Sequence, residues 1–245
     1  MRIGIISDIH SNAEALDRVL GYISKINKFI CLGDIVGYGA DPNYCINKVR
    51  KLKSIDCLAG NHDFGAIGRI NIDYFNYEAK QAILWTTKNL NNSSQEYLSS
   101  LPEEIILGDE ILAVHGSPLN PVWEYVLDSE TASIIFKKYH YRIFLVGHTH
   151  LAGYFSFDED NEKIEYTDLK NGGSIEIKKD KRYIINCGSV GQPRDGNPQA
   201  SYGIYDLDRQ RLIINRISYP VYITQKKILN AGLPKILAER LDYGI

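Results

Sequence analysis

Arg2-Ile3-Gly4-Ile5-Ile6-Ser7-Asp8-Ile9-His10 opens on an apolar run that ends in a carboxylate and an imidazole two residues apart. A near-continuous apolar run of this length reads as a strand buried on both faces, over residues 2–7. Residues i and i+2 at a strand end point the same way, so Asp8 and His10 face one pocket. Residues 12–25 then read as a helix with Ala13, Leu16, Val19, Leu20 and Ile23 on one face. A strand over 29–32, a helix from 41 to about 53 with Pro42 in its first turn, and a strand over 55–59 continue the pattern. Strand and helix in alternation predict parallel pairing with helices on the sheet faces.

Downstream, residues 73–100, rich in Tyr, Trp and Asn, read as a helical cap beside the pocket, closed by Pro102. A strand over 111–114, a helix over 129–139 and a strand over 143–146 follow. The pattern then changes: residues 154–168, 174–178, 183–186, 202–208 and 212–217 read as antiparallel strands and hairpins, with Asn171-Gly172-Gly173 as a hairpin turn. Two short helices are expected over 224–241 around Gly232-Leu233-Pro234. The first half is βα and the second mostly β, within one domain spanning 1–245.

The 245 residues carry 28 basic against 30 acidic side chains. That balance gives no electrostatic footprint for duplex nucleic acid, so any phosphate recognition is local and the partner is small or transient. No stretch approaches the roughly 20 apolar residues of a membrane span, and the start is too short in apolar length for a signal peptide. Cys31, Cys45, Cys57 and Cys187 form no Cys-x-x-Cys pair, which suits reduced thiols in the cytoplasm. Oligomeric state is not legible.

Five of the six histidines follow short apolar runs. Asp8-Ile9-His10 presents a chelating pair, although taken alone Asp8 reads more readily as the cap of the next helix. Asp34, in Gly33-Asp34-Ile35-Val36-Gly37, sits beyond a strand's carboxyl end, where ligands collect in α/β sheets; it is a bridging carboxylate or a turn aspartate. Gly60-Asn61-His62-Asp63 lines up an amide oxygen, an imidazole and a carboxylate. His115-Gly116 and Gly147-His148-Thr149-His150 repeat the strand-then-histidine arrangement, and the second gives a His-x-His ligand pair. His140 lacks that setting and reads as a surface residue. No glycine-rich phosphate loop of the dehydrogenase or P-loop type occurs.

In this order, Asp-x-His, Gly-Asp-x-x-Gly, Gly-Asn-His-Asp, His-Gly and Gly-His-Thr-His, the motifs resemble the calcineurin-like metallophosphoesterase superfamily. Gly188-Ser189-Val190-Gly191-Gln192-Pro193-Arg194 is similar to its compact bacterial and archaeal phosphodiesterase branch. There the usual Asn-Pro-Gly-Ser reads Asn186-Cys187-Gly188-Ser189, a change expected to alter loop stiffness and not chemistry. The resemblance implies an α/β fold, a four-layer α/β/β/α sandwich of two mixed sheets flanked by helices. It implies that Asp8, His10 and His150 bind one metal, that Asn61, His115 and His148 bind a second, and that Asp34 bridges both. His62 would be the acid or transition-state stabiliser, oriented by Asp63, which would raise its pKa.

Two divalent ions about 3.5–4 Å apart can share a water, lower its pKa and aim a hydroxide in line at phosphorus. Oxygen and imidazole donors without thiolate suit manganese, iron, zinc, cobalt or nickel, with manganese favoured here. The leading reading is a phosphodiesterase acting on a small diester or nucleotide; a dinucleoside polyphosphate hydrolase, a phosphoprotein phosphatase and a non-catalytic interaction scaffold are the alternatives. Arg194 either binds a phosphate oxygen pair or meets a surface aspartate. Phe64, Tyr74, Phe75, Tyr77, Trp123 and Tyr125 either stack on a base or, for the most part, fill the core.

Overall fold

In the computed structural model, which describes residues 1–245, the opening run is strand β1 (Arg2–Ile6). Its Ile3 and Ile5 enter a core shared by two sheets, whereas Ile6 faces helices on the outside. This two-sided burial is why the run is apolar throughout. Each such side chain contributes about 1.5–3 kcal/mol when fully removed from water.

The βα half comprises α1 (Ala13–Tyr22), β2 (Lys28–Cys31), α2 (Pro42–Val49), β3 (Ile55–Cys57) and α3 (Asn61–Ala66). A 3-10 turn (Ile72–Tyr74) leads into α4 (Tyr77–Asn89) and α5 (Asn92–Ser99). Next come β4 (Glu104–Leu107), β5 (Ile111–Val114), α6 (Ser129–Lys138) and β6 (Ile143–Val146). The β half holds β7 (Ala152–Asp158), β8 (Lys163–Asp168), β9 (Gly173–Glu176), β10 (Lys181–Cys187), β11 (Ala200–Asp206) and β12 (Arg211–Ile217). Helices α7 (Val221–Asn230) and α8 (Lys235–Glu239) end the order before a last 3-10 turn, Arg240–Asp242.

Two six-stranded mixed sheets result, ordered β3-β2-β1-β11-β12-β9 and β4-β5-β6-β10-β7-β8. The βα strands pair in parallel, β1 with β2, β2 with β3, and β5 with β6, as the alternation predicts. Ile5, Leu32, Ala113, Leu145, Ile185 and Leu212 fill the layer between the sheets. Helices α1 and α2 cover one outer face through Leu16, Val19, Ile46 and Val49, and α6 covers the other through Ala132, Ile135 and Phe136. The four-layer sandwich is therefore present. Beside it, α4, α7 and α8 pack around Tyr38 through Ala79, Ile228, Leu237 and Ala238.

Several expected boundaries move. The first helix stops at Tyr22, where Ile23 returns its N–H to the Val19 carbonyl. The second stops at Val49, because the chain must turn through Ser54, at a left-handed φ of 52°, to enter β3. Residues 73–100 split into α4 and α5 at Leu90, and Asn91 caps the second helix by accepting from Ser94 N. Asn171-Gly172-Gly173 is not a hairpin turn: β8 pairs with β7 in one sheet and β9 with β12 in the other, so this segment crosses between sheets. Strand β4, an antiparallel edge on β5, went unread because Glu103 and Glu104 mask its short apolar run.

Candidate metal centre

The parallel strands of both sheets end on one side, and the loops leaving them carry the sequence-derived donors. Asp8 and His10 follow β1, Asp34 follows β2, Asn61 opens α3 after β3, His115 follows β5, and His148 and His150 follow β6. All seven are at most 5% exposed. Five of them hold left-handed backbone, Asp8 at φ 53°, His10 at 49°, Asp34 at 51°, His148 at 65° and His150 at 61°. That conformation costs roughly 1–2 kcal/mol for a non-glycine residue, and such strain concentrates at functional sites. The loops turn back sharply enough to aim donors at a common point only by adopting it.

The donors form two adjoining groups. Asp8 Oδ1 lies 3.2 Å from His150 Nε2 and 3.8 Å from His10 Nε2, while the two Nε2 atoms are 3.0 Å apart. His115 Nε2 lies 3.2 Å from Asp34 Oδ2, from Asn61 Oδ1 and from His148 Nδ1. Asp34 Oδ2 also lies 3.7 Å from His10 Nε2, which places this carboxylate between the groups. The open reading of Asp8 is resolved as well: Asn12 caps α1 by accepting from Ala15 N, while Asp8 accepts from the His148 N–H.

Backbone carbonyls set the imidazole tautomers. Val36 O accepts from His10 Nδ1 at 3.1 Å, Leu32 O from His115 Nδ1 at 2.7 Å, Gln192 O from His150 Nδ1 at 2.5 Å, and Trp123 O from His148 Nε2 at 3.2 Å. In the neutral rings each opposite nitrogen then turns a lone pair inward, the arrangement that orients metal-ligating histidines, and the proton that Asp34 favours on His115 Nε2 is the one an ion would displace. Asp34 Oδ2 is buried with no hydrogen-bond partner, its Oδ1 being taken by the His62 N–H at 2.8 Å. Converging lone pairs and an orphaned carboxylate oxygen fit a bound cation and little else.

The electrostatics agree. Burial pushes Asp34 up, but His115, His62 and His10 outweigh it and hold its carboxyl well below the usual carboxylate range. Burial pushes the His148 imidazole down to about 3, with His115 adding to the effect. Burial acts on His115 too, yet Asp34 and Asp8 overcome it and raise that ring to about 9. The cluster thus favours positive charge beside Asp34. Oxygen and imidazole donors with no thiolate suit borderline and hard divalent metals.

His62 lines the same cleft, its ring 5.1 Å from Phe75, 4.4 Å from Tyr38 and 4.8 Å from His10. Its expected partnership with Asp63 is absent. Asp63 accepts instead from Gly60 N at 3.0 Å and Val36 N at 3.1 Å, so it ties the Asp34 loop to the start of α3. The His62 imidazole is lowered to about 4, not raised, by burial, with Arg194 adding to the effect and Asp34 opposing it. A residue adjacent in sequence at a helix start points elsewhere, which Gly-Asn-His-Asp alone cannot disclose.

Arg194 meets no aspartate. Its Nη2 donates to Gln192 Oε1 at 3.0 Å and to the Tyr38 hydroxyl at 3.2 Å, and it lines the cleft; Asp195 pairs with buried Arg216 instead. Of the six aromatics, only Phe64 is core, at 2% exposure. Tyr74, Phe75, Trp123 and Tyr125 line the cleft, and Tyr77 is exposed away from it. His140 is exposed, and the four cysteines are buried and unpaired. Sequence reading missed Tyr38, Gln192 and Gly37. Gly37 has φ 98°, and a Cβ there would meet the His62 ring. Tyr38 between two glycines was the one available signal.

Residues 1–210 match the model of the calcineurin-like phosphoesterase superfamily domain. The chain belongs to that superfamily. An uncharacterized protein of Methanocaldococcus jannaschii is 42% identical over 248 aligned positions, covering 99% of this chain and 98% of the relative. The crystal structure of a metallophosphoesterase from Sphaerobacter thermophilus is 40% identical, with a TM-score of 0.89 over 100% of this chain and 99% of that one. A hypothetical protein from Pyrococcus horikoshii shares the fold at 20% identity, with a TM-score of 0.81 over 100% and 98% of the two chains. As a calcineurin-like phosphoesterase, the chain is a phosphoric ester hydrolase, and the cluster built above is its candidate metal centre. No helix of this phosphoesterase is long and apolar enough to cross a membrane.

Proposed function

We propose that the chain is a dinuclear-metal phosphodiesterase that cleaves a small phosphodiester or nucleotide. The strongest support is one cleft in which the converging donors adjoin Arg194, the only lysine or arginine lining it and one without a carboxylate partner. Asp8, His10 and His150 hold one divalent ion in this reading, Asn61, His115 and His148 the other, and Asp34 serves both. Such ions, when bound, supply charge neutralisation for the phosphoryl oxygens and an activated water. Arg194, steadied by Tyr38 and Gln192, binds a nonbridging oxygen and suits the single charge of a diester. His62, left neutral by its lowered pKa, donates an N–H hydrogen bond to the leaving oxygen, held by ring contacts with Tyr38 and Phe75 and by its backbone bond to Asp34. Asp63 positions the Asp34 loop against α3.

Manganese is our choice of metal on donor type. We place the protein in the cytoplasm, a reading supported by the unpaired thiols, and assign it a small phosphate ester as partner, not duplex nucleic acid or a membrane. The test is metal analysis of the purified protein followed by turnover of bis(p-nitrophenyl) phosphate, diadenosine polyphosphates and a phosphopeptide. Diester turnover should lead. Phosphopeptide turnover far above it overturns the diesterase reading, and two bound ions with no turnover of any ester point to a scaffold.

A further inference from the structure

Four aromatic rings line the metal cleft, two of them half-buried and two exposed. Tyr74 and Phe75 come from the lead-in to α4, and Trp123 and Tyr125 from the loop between β5 and α6. Tyr74 is 76% exposed and Tyr125 44%. Phe75 and Trp123 pack in part against the neighbouring hydrophobic clusters, whereas Tyr74 and Tyr125 belong to none of them.

The rings run continuously out of the site. Phase by phase outward, His62 meets Phe75 at 5.1 Å and 73°, Phe75 meets Trp123 at 4.8 Å and 58°, and Trp123 meets Tyr74 at 6.0 Å and 78°. On the other side Tyr125 lies flat on the His148 ring, 4.1 Å away at 7°. We propose that these rings are a stacking shelf, and that the site takes phosphate esters carrying a planar aromatic group, a nucleobase or a simple aryl ring. This rests on the phosphoesterase reading and narrows it to a substrate class.

Three observations carry the assignment. The shelf starts at His62 and at the ligand His148, so a ring esterified to a phosphoryl group at the donors reaches it directly. Arg194 lies over the Tyr38 ring and lines the same cleft as the shelf, so one site offers donors and a cation for a phosphate and ring faces for a planar group. The cleft encloses about 240 Å³, just under the roughly 300–1,000 Å³ of sites that bury a drug-sized ligand, which suits a small planar group. Stacking on such faces tolerates any base, because every base presents a π-face.

The test is binding to the manganese-loaded protein, by calorimetry, of adenosine 5′-monophosphate against ribose 5-phosphate and of phenyl phosphate against methyl phosphate. Each pair shares its phosphate and differs in the ring. The aromatic member should bind roughly five- to hundredfold tighter, the range of a single base stack. Tyr74→Ala and, separately, Trp123→Leu should shrink that ratio. A gain in both pairs marks a general aromatic site, and a gain in the adenosine pair alone marks a nucleobase site; either supports the shelf. Equal affinity within both pairs, or ratios that neither variant moves, overturns it, and the rings are then a face for a protein partner. Ring-selective binding without cleavage of any ester would leave the shelf standing and remove the phosphodiesterase reading.

Discussion

His10 Nε2 and His150 Nε2 stand 3.0 Å apart, and neither can donate to the other, because Val36 O and Gln192 O already hold the Nδ1 protons. Two facing lone pairs beside the Asp8 carboxylate form a contact that gains stability only with a positive charge between the rings. The folded chain should therefore be markedly less stable without its ions. A ligand that binds only the native state adds about 4 kcal/mol at a thousandfold excess over its Kd. Chelation should lower the thermal midpoint by several degrees, and manganese should restore it; an unmoved midpoint would count against the centre.

His62 lines the cleft without belonging to the seven proposed ligands. His62→Ala should cut diester turnover by about 10²–10³-fold, the usual worth of a positioned hydrogen-bond donor to developing charge, while elemental analysis finds nearly the parental metal content. Equal turnover in variant and parent would remove its role.

Gly37 leaves room for the His62 ring and sits at φ 98°. In Gly37→Ala the added methyl group meets that ring and the backbone is strained, so turnover should fall at least tenfold with metal content kept. Steady-state kinetics beside metal analysis checks this, and unchanged kinetics would show that the ring has space to move.

Asp195 and Arg216 form an ion pair whose side chains are only 5% and 3% exposed. Removing one partner of such a pair typically costs about 3–5 kcal/mol, because the other charge is left buried alone. Asp195→Ala should lose about that much in urea titration, and Asp195→Leu with Arg216→Met should recover most of it. Asp195 also follows Arg194, so the single variant should raise KM more than it lowers kcat.

Burial and the nearby Asp34 charge raise Asp63 to about 7. An acid raised in the folded state keeps its proton there while the unfolded chain loses it near pH 4, so its stabilising contribution is complete below that pH. The contribution is lost as pH rises towards 7. In chelated protein the buried histidines act on parent and variant alike, so Asp63→Asn should gain stability relative to the parent as pH rises from about 4 to 7. Parallel slopes would show that Asp63 ionises normally.

Much of this was legible because the donors obey a local rule: a strand burial pattern followed at once by Asp, Asn or His. Strand β1, strand β6 and all seven donors follow it, and the four-layer architecture is what the family resemblance carried by these motifs implies. What was hidden depends on distant pairing. The chain crosses between sheets at Asn171-Gly172-Gly173 because β12 is the partner of β9, and no local signal names a partner. Asp63 serves Val36 and Gly60 instead of its neighbour for the same reason. The carbonyls that fix the imidazole tautomers come from Leu32, Val36, Trp123 and Gln192, and any residue type supplies a carbonyl.

Tyr38 leans on α7 and α8 through Ile228, Leu237 and Ala238, in a segment that gives no donor and lies past residue 210, where the family match ends. The phenol they support touches both the His62 ring and the Arg194 guanidinium. Changes in that tail therefore reach the cleft by way of one aromatic side chain, although the tail itself supplies no residue to it.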